Sequence, residues 1–325
     1  MNKKDVVKAW GRILMGYQPL LSIELTRECP LHCPGCYAYE PNHLGGDIGL
    51  RQLQDFRGEE LIRRVLEVVD RYKPLHLSIV GGDPLVRYRE LERLVPLLID
   101  RGVYVQVVTS AFRPIPVQWA KMENLKVVIS VDGLQAEHDE RRKPATYQRI
   151  LQNIGGTRIT IHCTLTGKML HRDGYIGDFA RFWSARDEVQ QIWFSIFTPQ
   201  RGEVLPEILS AQQRRAAIEE LLRLVTLYPK IDMTQGTLRA FLQPPQAPAE
   251  CVFAQVTRTI SSDLKTQIKP CQFGGDPDCS QCGCLASMAM ASVGRKKAAG
   301  RVSLDELLRA SSRVGAAVAK AAGRN

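Results

Sequence analysis

Three cysteines stand at 29, 33 and 36 in the stretch CPLHCPGC, directly after the strand-like run LLSIELT. Thiols packed this closely along a chain hold a metal group, and their number restricts its identity. A four-iron cube has four corners, so three thiolates leave one corner open to an outside ligand that chelates through nitrogen and oxygen. Pro30, Pro34 and Gly35 supply the bends such a loop needs. The other reading is a zinc ion with His32 or a distant cysteine as fourth ligand, although His32 beside Cys33 is awkwardly spaced for wrapping a tetrahedral ion. A second group, Cys251, Cys271, Cys279, Cys282 and Cys284, follows late in the chain. A structural zinc ribbon built on Cys271, Cys279 and the next pair is one use for it. Cys163 stands alone and reads as buried packing; facing a lumen beside His162 or Thr164, it would instead be a hydrogen donor to a substrate radical.

Elements that could position these groups alternate along the chain. Six short β-branched runs read as strands: 21–26, 75–80, 103–109, 126–131, 158–165 and 191–197. Helical patterns separate most of them, among them DFRGEELIRRVLEVVDRY and RYRELERLVPLLIDRG. Alternation of this kind predicts a parallel sheet with right-handed crossovers, here an α/β partial (β/α)6 TIM-like barrel working at its C-terminal rim. An open flavodoxin-like sheet is the alternative. After Thr198 a long helix, AQQRRAAIEELLRLVTLY, leads to the proline-rich QPPQAPAE at 243–250, which reads as a boundary. The expected organisation is an N-terminal amphipathic helix at 1–20, the barrel at 21–242, a small cysteine-rich segment at 243–294 and a basic helical tail at 295–325. Between Cys251 and Cys271, VTRTI and KTQIK flank SSDL in the pattern of a β-hairpin.

The 325 residues suffice for a large core, and 44% hydrophobic with 24% charged residues is ordinary for a soluble enzyme. No apolar run of transmembrane length occurs, and the opening residues lack the pattern of an export signal. Nine cysteines in such a chain point to a reducing compartment, so the expected location is cytoplasmic. The formal charge of +10 is scattered along the chain, with local concentrations at the two ends. Basic amphipathic helices there suit either a solvated face packed on the protein or peripheral contact with an anionic membrane. No aromatic-interleaved basic groove for nucleic acid stands out.

Taken in order, these features resemble the radical S-adenosylmethionine (SAM) superfamily, whose signature is this three-cysteine spacing after the first barrel strand. GGDP at 81–84 is similar to that family's Gly-Gly-Glu element, with Asp83 in place of glutamate. SVDG at 130–133 with EHDERR at 137–142 resembles the Ser-Leu-Asp-Gly, His-Asp and Arg block of members that carry extra clusters. TSA at 109–111 departs from the usual Thr-Asn-Gly. The resemblance implies that Cys29, Cys33 and Cys36 hold a [4Fe-4S] cluster. It implies that Gly81, Gly82 and Asp83 receive the methionine ammonium of SAM. Ser130 and Asp132 would meet the ribose or amino-acid moiety, Arg141 or Arg142 would pair with the carboxylate, and Tyr37 would flank the adenine. The late cysteines resemble the start of an auxiliary-cluster domain of SPASM or, better, shortened twitch type. That implies a second [4Fe-4S] cluster, with the choice between Cys282 and Cys284 open.

What the resemblance implies chemically is reductive cleavage of SAM to a 5′-deoxyadenosyl radical that abstracts hydrogen from, or adds to, an unidentified substrate. A reductant such as ferredoxin or flavodoxin is implied as partner. Peptide modification is one use; a lipid substrate, as in adenosylhopane-synthase-like relatives, is another. A molybdenum-cofactor-type cyclase ranks low, since AAGRN lacks the arginine-rich glycine tail expected there. A non-enzymatic iron–sulfur or zinc carrier would explain the cysteines but neither GGDP nor SVDG.

Overall fold

The computed structural model describes residues 3–46, 48–144, 147–298 and 302–323. Helix α1 (Lys3–Leu14) leads into β1 (Leu20–Glu24). Then come α2 (Gly58–Tyr72), β2 (His76–Val80), α3 (Tyr88–Asp100), β3 (Tyr104–Thr109) and β4 (Leu125–Ser130). Next are α4 (Gln135–Arg141), α5 (Tyr147–Asn153), β5 (Ile159–Leu165), α6 (Tyr175–Ser184) and β6 (Val189–Ile196). The six expected strands are thus all present, in parallel order β6-β5-β4-β3-β2-β1. Their apolar residues Leu21, Ile23, Leu77, Ile79, Val105, Val107, Ile129 and Ile161 are buried against α2, α3, α5 and α6, whose apolar stripes close the outer layer. On β5 the alternation turns Thr160, His162 and Thr164 one way and Ile161, Cys163 and Leu165 the other. Cys163 is 1% exposed and belongs to the outer apolar layer, which supports packing rather than radical chemistry.

The sheet is not closed, and it has a seventh strand. Helices α7 (Ala211–Leu227), α8 (Gln235–Ala240) and α9 (Val252–Val256) carry the chain back to β7 (Thr257–Ile260), which pairs in parallel with β1. The expected hairpin forms beyond it: Ser261 N donates to Thr266 O and Ile268 N to Thr259 O, both at 2.9 Å. Its first arm, however, is part of the main sheet. At the opposite edge, the backbone before α10 (Leu285–Gly294) bonds β6, with Ile196 N donating to Gly283 O at 2.9 Å and Leu285 N to Ser195 Oγ at 3.2 Å. The cysteine-rich segment therefore adds β7 beside β1 on one side of the sheet and bonds β6 on the other. No helix among the described residues is long and apolar enough to cross a membrane. Helix α11 (Leu304–Ala321) packs on α1 through Ile13, Leu308 and Trp10, whose Nε1 donates to Ser311 Oγ at 3.1 Å.

Candidate functional site

The three-cysteine loop leaves the C-terminal end of β1, and its root is strapped to the loop after β2. Gly82 N donates to Thr26 O and Asp83 N to Glu28 O, each at 2.8 Å. This closeness explains the paired glycines. A Cβ on Gly82 would lie 2.0 Å from Glu28 O, and Gly81 adopts φ +122° with Leu25 N and Thr26 O 2.9 Å from where its Cβ would be. Below the strap, Arg87 is buried and gathers Asp55 at 2.7 Å and Glu28 at 3.1 Å, which fixes the residue before Cys29.

Cys29, Cys33 and Cys36 are half-buried and within electrostatic reach of one another, whereas His32 is exposed and its backbone N donates to Lys143 O at 2.7 Å. Burial pushes the Cys29 thiol up to about 12, and Asp83, Cys33 and Cys36 add to the rise. Burial likewise raises Cys33 and Cys36. Three neighbouring thiols whose surroundings oppose negative charge suit a cationic metal group, which reverses that penalty. The donor set fits a cluster held by three thiolates.

Asp83, expected to face an ammonium, turns its carboxylate elsewhere. Its Oδ1 accepts from Leu85 N at 3.0 Å and Thr109 Oγ1 at 2.6 Å; its Oδ2 accepts from Ser110 N at 2.8 Å and Ser110 Oγ at 2.6 Å. Four donors fill the carboxylate's acceptor sites, so what this loop presents is backbone. The unusual TSA is thereby accounted for: its Thr and Ser bind Asp83, and Ala111 takes φ +52°, the left-handed region that a glycine would occupy more easily.

At the end of β4, Asp132 is 2% exposed, and its Oδ2 accepts from Arg142 Nε at 2.8 Å and Arg141 Nε at 3.1 Å. Its Oδ1 accepts from Thr164 N at 3.1 Å. Burial opposes its charge, yet Arg142 and Arg141 outweigh burial and hold the carboxyl well below the usual range. Asp132 is thus a clamp on both arginines, and Arg141 also lies over the Phe197 ring at 5.7 Å. Both arginines act electrostatically on Cys33, so this clamp borders the three-cysteine loop. Ser130 is half-buried and paired in register with His162. Gly133 takes φ +98°, and a Cβ there would meet Tyr175 Oη at 2.7 Å.

All five late cysteines line one pocket, with Phe253, Phe273, Thr198 and Ser287. Burial pushes Cys271 up to about 12 and Cys279 to about 11. Both feel Cys282 and Cys251 most among the other thiols. Cys284 is influenced by Cys282, Cys271 and Cys251, and its Sγ accepts from Gln272 Nε2 at 3.3 Å. Among the described residues no three His, Cys, Asp or Glu side chains are set as ligands of a single metal ion.

Between the two cysteine groups lies a contact that the motifs did not reveal. The Tyr37 ring, expected beside an adenine, stands edge-on to Phe273 at 5.4 Å and tilted against His43 at 5.7 Å, packing the two loops together. His43 Nε2 is 2.8 Å from Glu24 Oε1, and its Nδ1 is 2.8 Å from Phe273 O. A glutamate ending the short buried strand LLSIE was the available signal, because a buried acid requires partners.

The radical SAM superfamily model matches residues 23–163. No curated protein matches the chain. Among solved structures, Streptococcus suis SuiB bound to S-adenosylmethionine is similar at 17% identity with a TM-score of 0.56, over 80% of this chain and 62% of that one. SuiB bound to the precursor peptide SuiA aligns at 16% identity and TM-score 0.55, over 94% of this chain and 68% of that one. Native anSMEcpe with bound AdoMet gives 16% identity and TM-score 0.55, over 78% and 74%. At these identities the likeness is one of fold, and the chain spans about three fifths of the SAM-bound SuiB chain.

Proposed function

We propose that the chain is a radical SAM enzyme with a cysteine-rich C-terminal segment and that it modifies a peptide by hydrogen abstraction or radical addition. The observation that carries the chemistry is the loop of Cys29, Cys33 and Cys36, mutually close at the C-terminal end of β1 and strapped to the Gly82–Asp83 backbone. When bound, a [4Fe-4S] cluster there supplies the electron that cleaves SAM to methionine and a 5′-deoxyadenosyl radical.

The protein's own part is to bind, orient and shield. The backbone around Gly81 and Gly82 offers carbonyls to the SAM ammonium, while Arg141 and Arg142, with Nε held by Asp132, keep terminal N–H groups for the SAM carboxylate. Ser130 and His162 lie on the inner face, where the ribose and substrate would sit. Cys251, Cys271, Cys279 and Cys282 are the proposed ligands of a second [4Fe-4S] cluster; Cys282 is favoured over Cys284 because Cys271 and Cys279 both lie closest in effect to it. The cysteine-rich segment would shield the radical from water. Ferredoxin or flavodoxin is the proposed electron donor, in the cytoplasm.

Peptide substrates are supported by the solved complexes of SuiB with SuiA and of anSMEcpe with peptides. A lipid substrate is the second reading, favoured by exposed Val7, Leu14, Val314 and Val318 on helices that also carry Lys8 and Arg313. The test is anaerobic reconstitution with dithionite and SAM. Formation of 5′-deoxyadenosine with about eight irons per chain supports the full reading. Absence of 5′-deoxyadenosine overturns it, and about four irons with one zinc removes the second cluster. Stimulation of turnover by peptides against lipid vesicles separates the two substrates.

A further inference from the structure

We propose that His43 and Glu24 form a positioning pair that sets the second cysteine centre against the first. The proposal rests on the reading of the late cysteines as cluster ligands. Glu24 ends β1, shortly before Cys29; His43 follows Cys36 by seven positions; Phe273 follows Cys271 by two. His43 is 0% exposed, Glu24 1% and Ser261 0%, so the linkage is wholly shielded from water.

The hydrogen bonds give the pair its direction. The Phe273 carbonyl can only accept, so His43 Nδ1 carries a proton and donates to it at 2.8 Å. His43 Nε2 meets Glu24 Oε1 at 2.8 Å, and Glu24 Oε2 accepts from Ser261 Oγ at 2.5 Å. Whether the proton between ring and carboxyl rests on nitrogen or oxygen, the unit is neutral overall, which makes its burial tolerable. Burial disfavours a charged imidazole, but Glu24 outweighs burial and raises the His43 pKa. The second loop approaches as only glycine permits: Gly274 has φ +65°, and a Cβ there would lie 1.9 Å from His43 O. The two groups that hydrogen-bond the pair's side chains from outside, Ser261 Oγ and Phe273 O, lie in the hairpin between Cys251 and Cys271 and on the loop after Cys271. The pair is therefore a brace between ligand loops and ligates nothing itself.

The test compares anaerobically reconstituted full-length wild type with His43→Ala, His43→Asn and His43→Gln. Asn places an amide N–H near the Nδ1 position and keeps the bond to Phe273, whereas Gln places one near Nε2 and keeps only Glu24. The readouts are iron release to a chelator and the electron paramagnetic resonance of dithionite-reduced protein with and without SAM. The expected result is second-centre iron leaving about tenfold faster from Ala and Gln, with a changed SAM-insensitive signal. Asn should stay near wild type, and the SAM-sensitive signal should be unchanged throughout. Identical release and spectra in all four proteins would overturn the proposal, and so would Asn failing as Ala does, since that marks simple packing. Should wild type hold zinc at the second centre, the cluster reading fails by itself, and zinc release from the same four proteins then decides the role of the pair.

Discussion

Ile196 N donates to Gly283 O at 2.9 Å, which joins the last barrel strand to the residue between Cys282 and Cys284. The second cysteine group is thus anchored to the very edge that the partial barrel leaves open. A Cβ at 283 would lie 1.9 Å from Ile196 O, a backbone atom that cannot swing away.

Gly283→Ala should therefore cost about 2 kcal/mol or more in urea unfolding and lower the iron content of the second centre. Unchanged stability together with full iron content would show that this edge contact is dispensable.

Gly82→Ala acts at the other centre. Its Cβ would press on Glu28 O at 2.0 Å and Tyr39 Oη at 2.8 Å, and Glu28 adjoins Cys29. SAM affinity should fall about tenfold or more by isothermal titration, with far-ultraviolet circular dichroism unchanged.

The cysteines should sort by position. Replacing Cys29, Cys33 or Cys36 with alanine should remove about four irons and all 5′-deoxyadenosine formation. Cys282→Ala should lose the second-centre iron, whereas Cys284→Ala, which deletes the sulfur bonded by Gln272, should keep most of it. Cys163→Ala should retain iron at both centres, because this thiol sits in the outer apolar layer. Iron analysis of the six proteins checks the set.

His138 gives a pH dependence with a definite sign. It is 0% exposed, its Nδ1 accepts from Asp132 N at 3.2 Å, and burial, reinforced by Arg142, lowers its pKa to about 4. An unfolded histidine titrates near 6.5, so between pH 6.5 and 4 the unfolded chain binds the extra proton and stability falls as pH falls. From pH 7 to 5 this group should remove about 2 kcal/mol. His138→Asn, whose carbonyl can accept from Asp132 N, should flatten that part of the profile in denaturant titrations at the two pH values.

Much of the molecule could be read without coordinates, because its signals are local. The spacing of Cys29, Cys33 and Cys36 is a property of one loop, and six β-branched runs separated by helical periods specify a parallel sheet whose loops gather at one end. GGDP and SVDG could likewise be placed at strand ends, where both are found.

Partners remote in the chain were decided only by the fold. Residues 257–260 joining β1 as a seventh strand, Asp83 spending its carboxylate on Thr109 and Ser110, Tyr37 packing on Phe273, and Glu24 meeting His43 and Ser261 all depend on chain crossings. A buried carboxylate in a sequence announces that it must be satisfied, but not by which donor. That choice belongs to the packing of segments up to 237 positions apart.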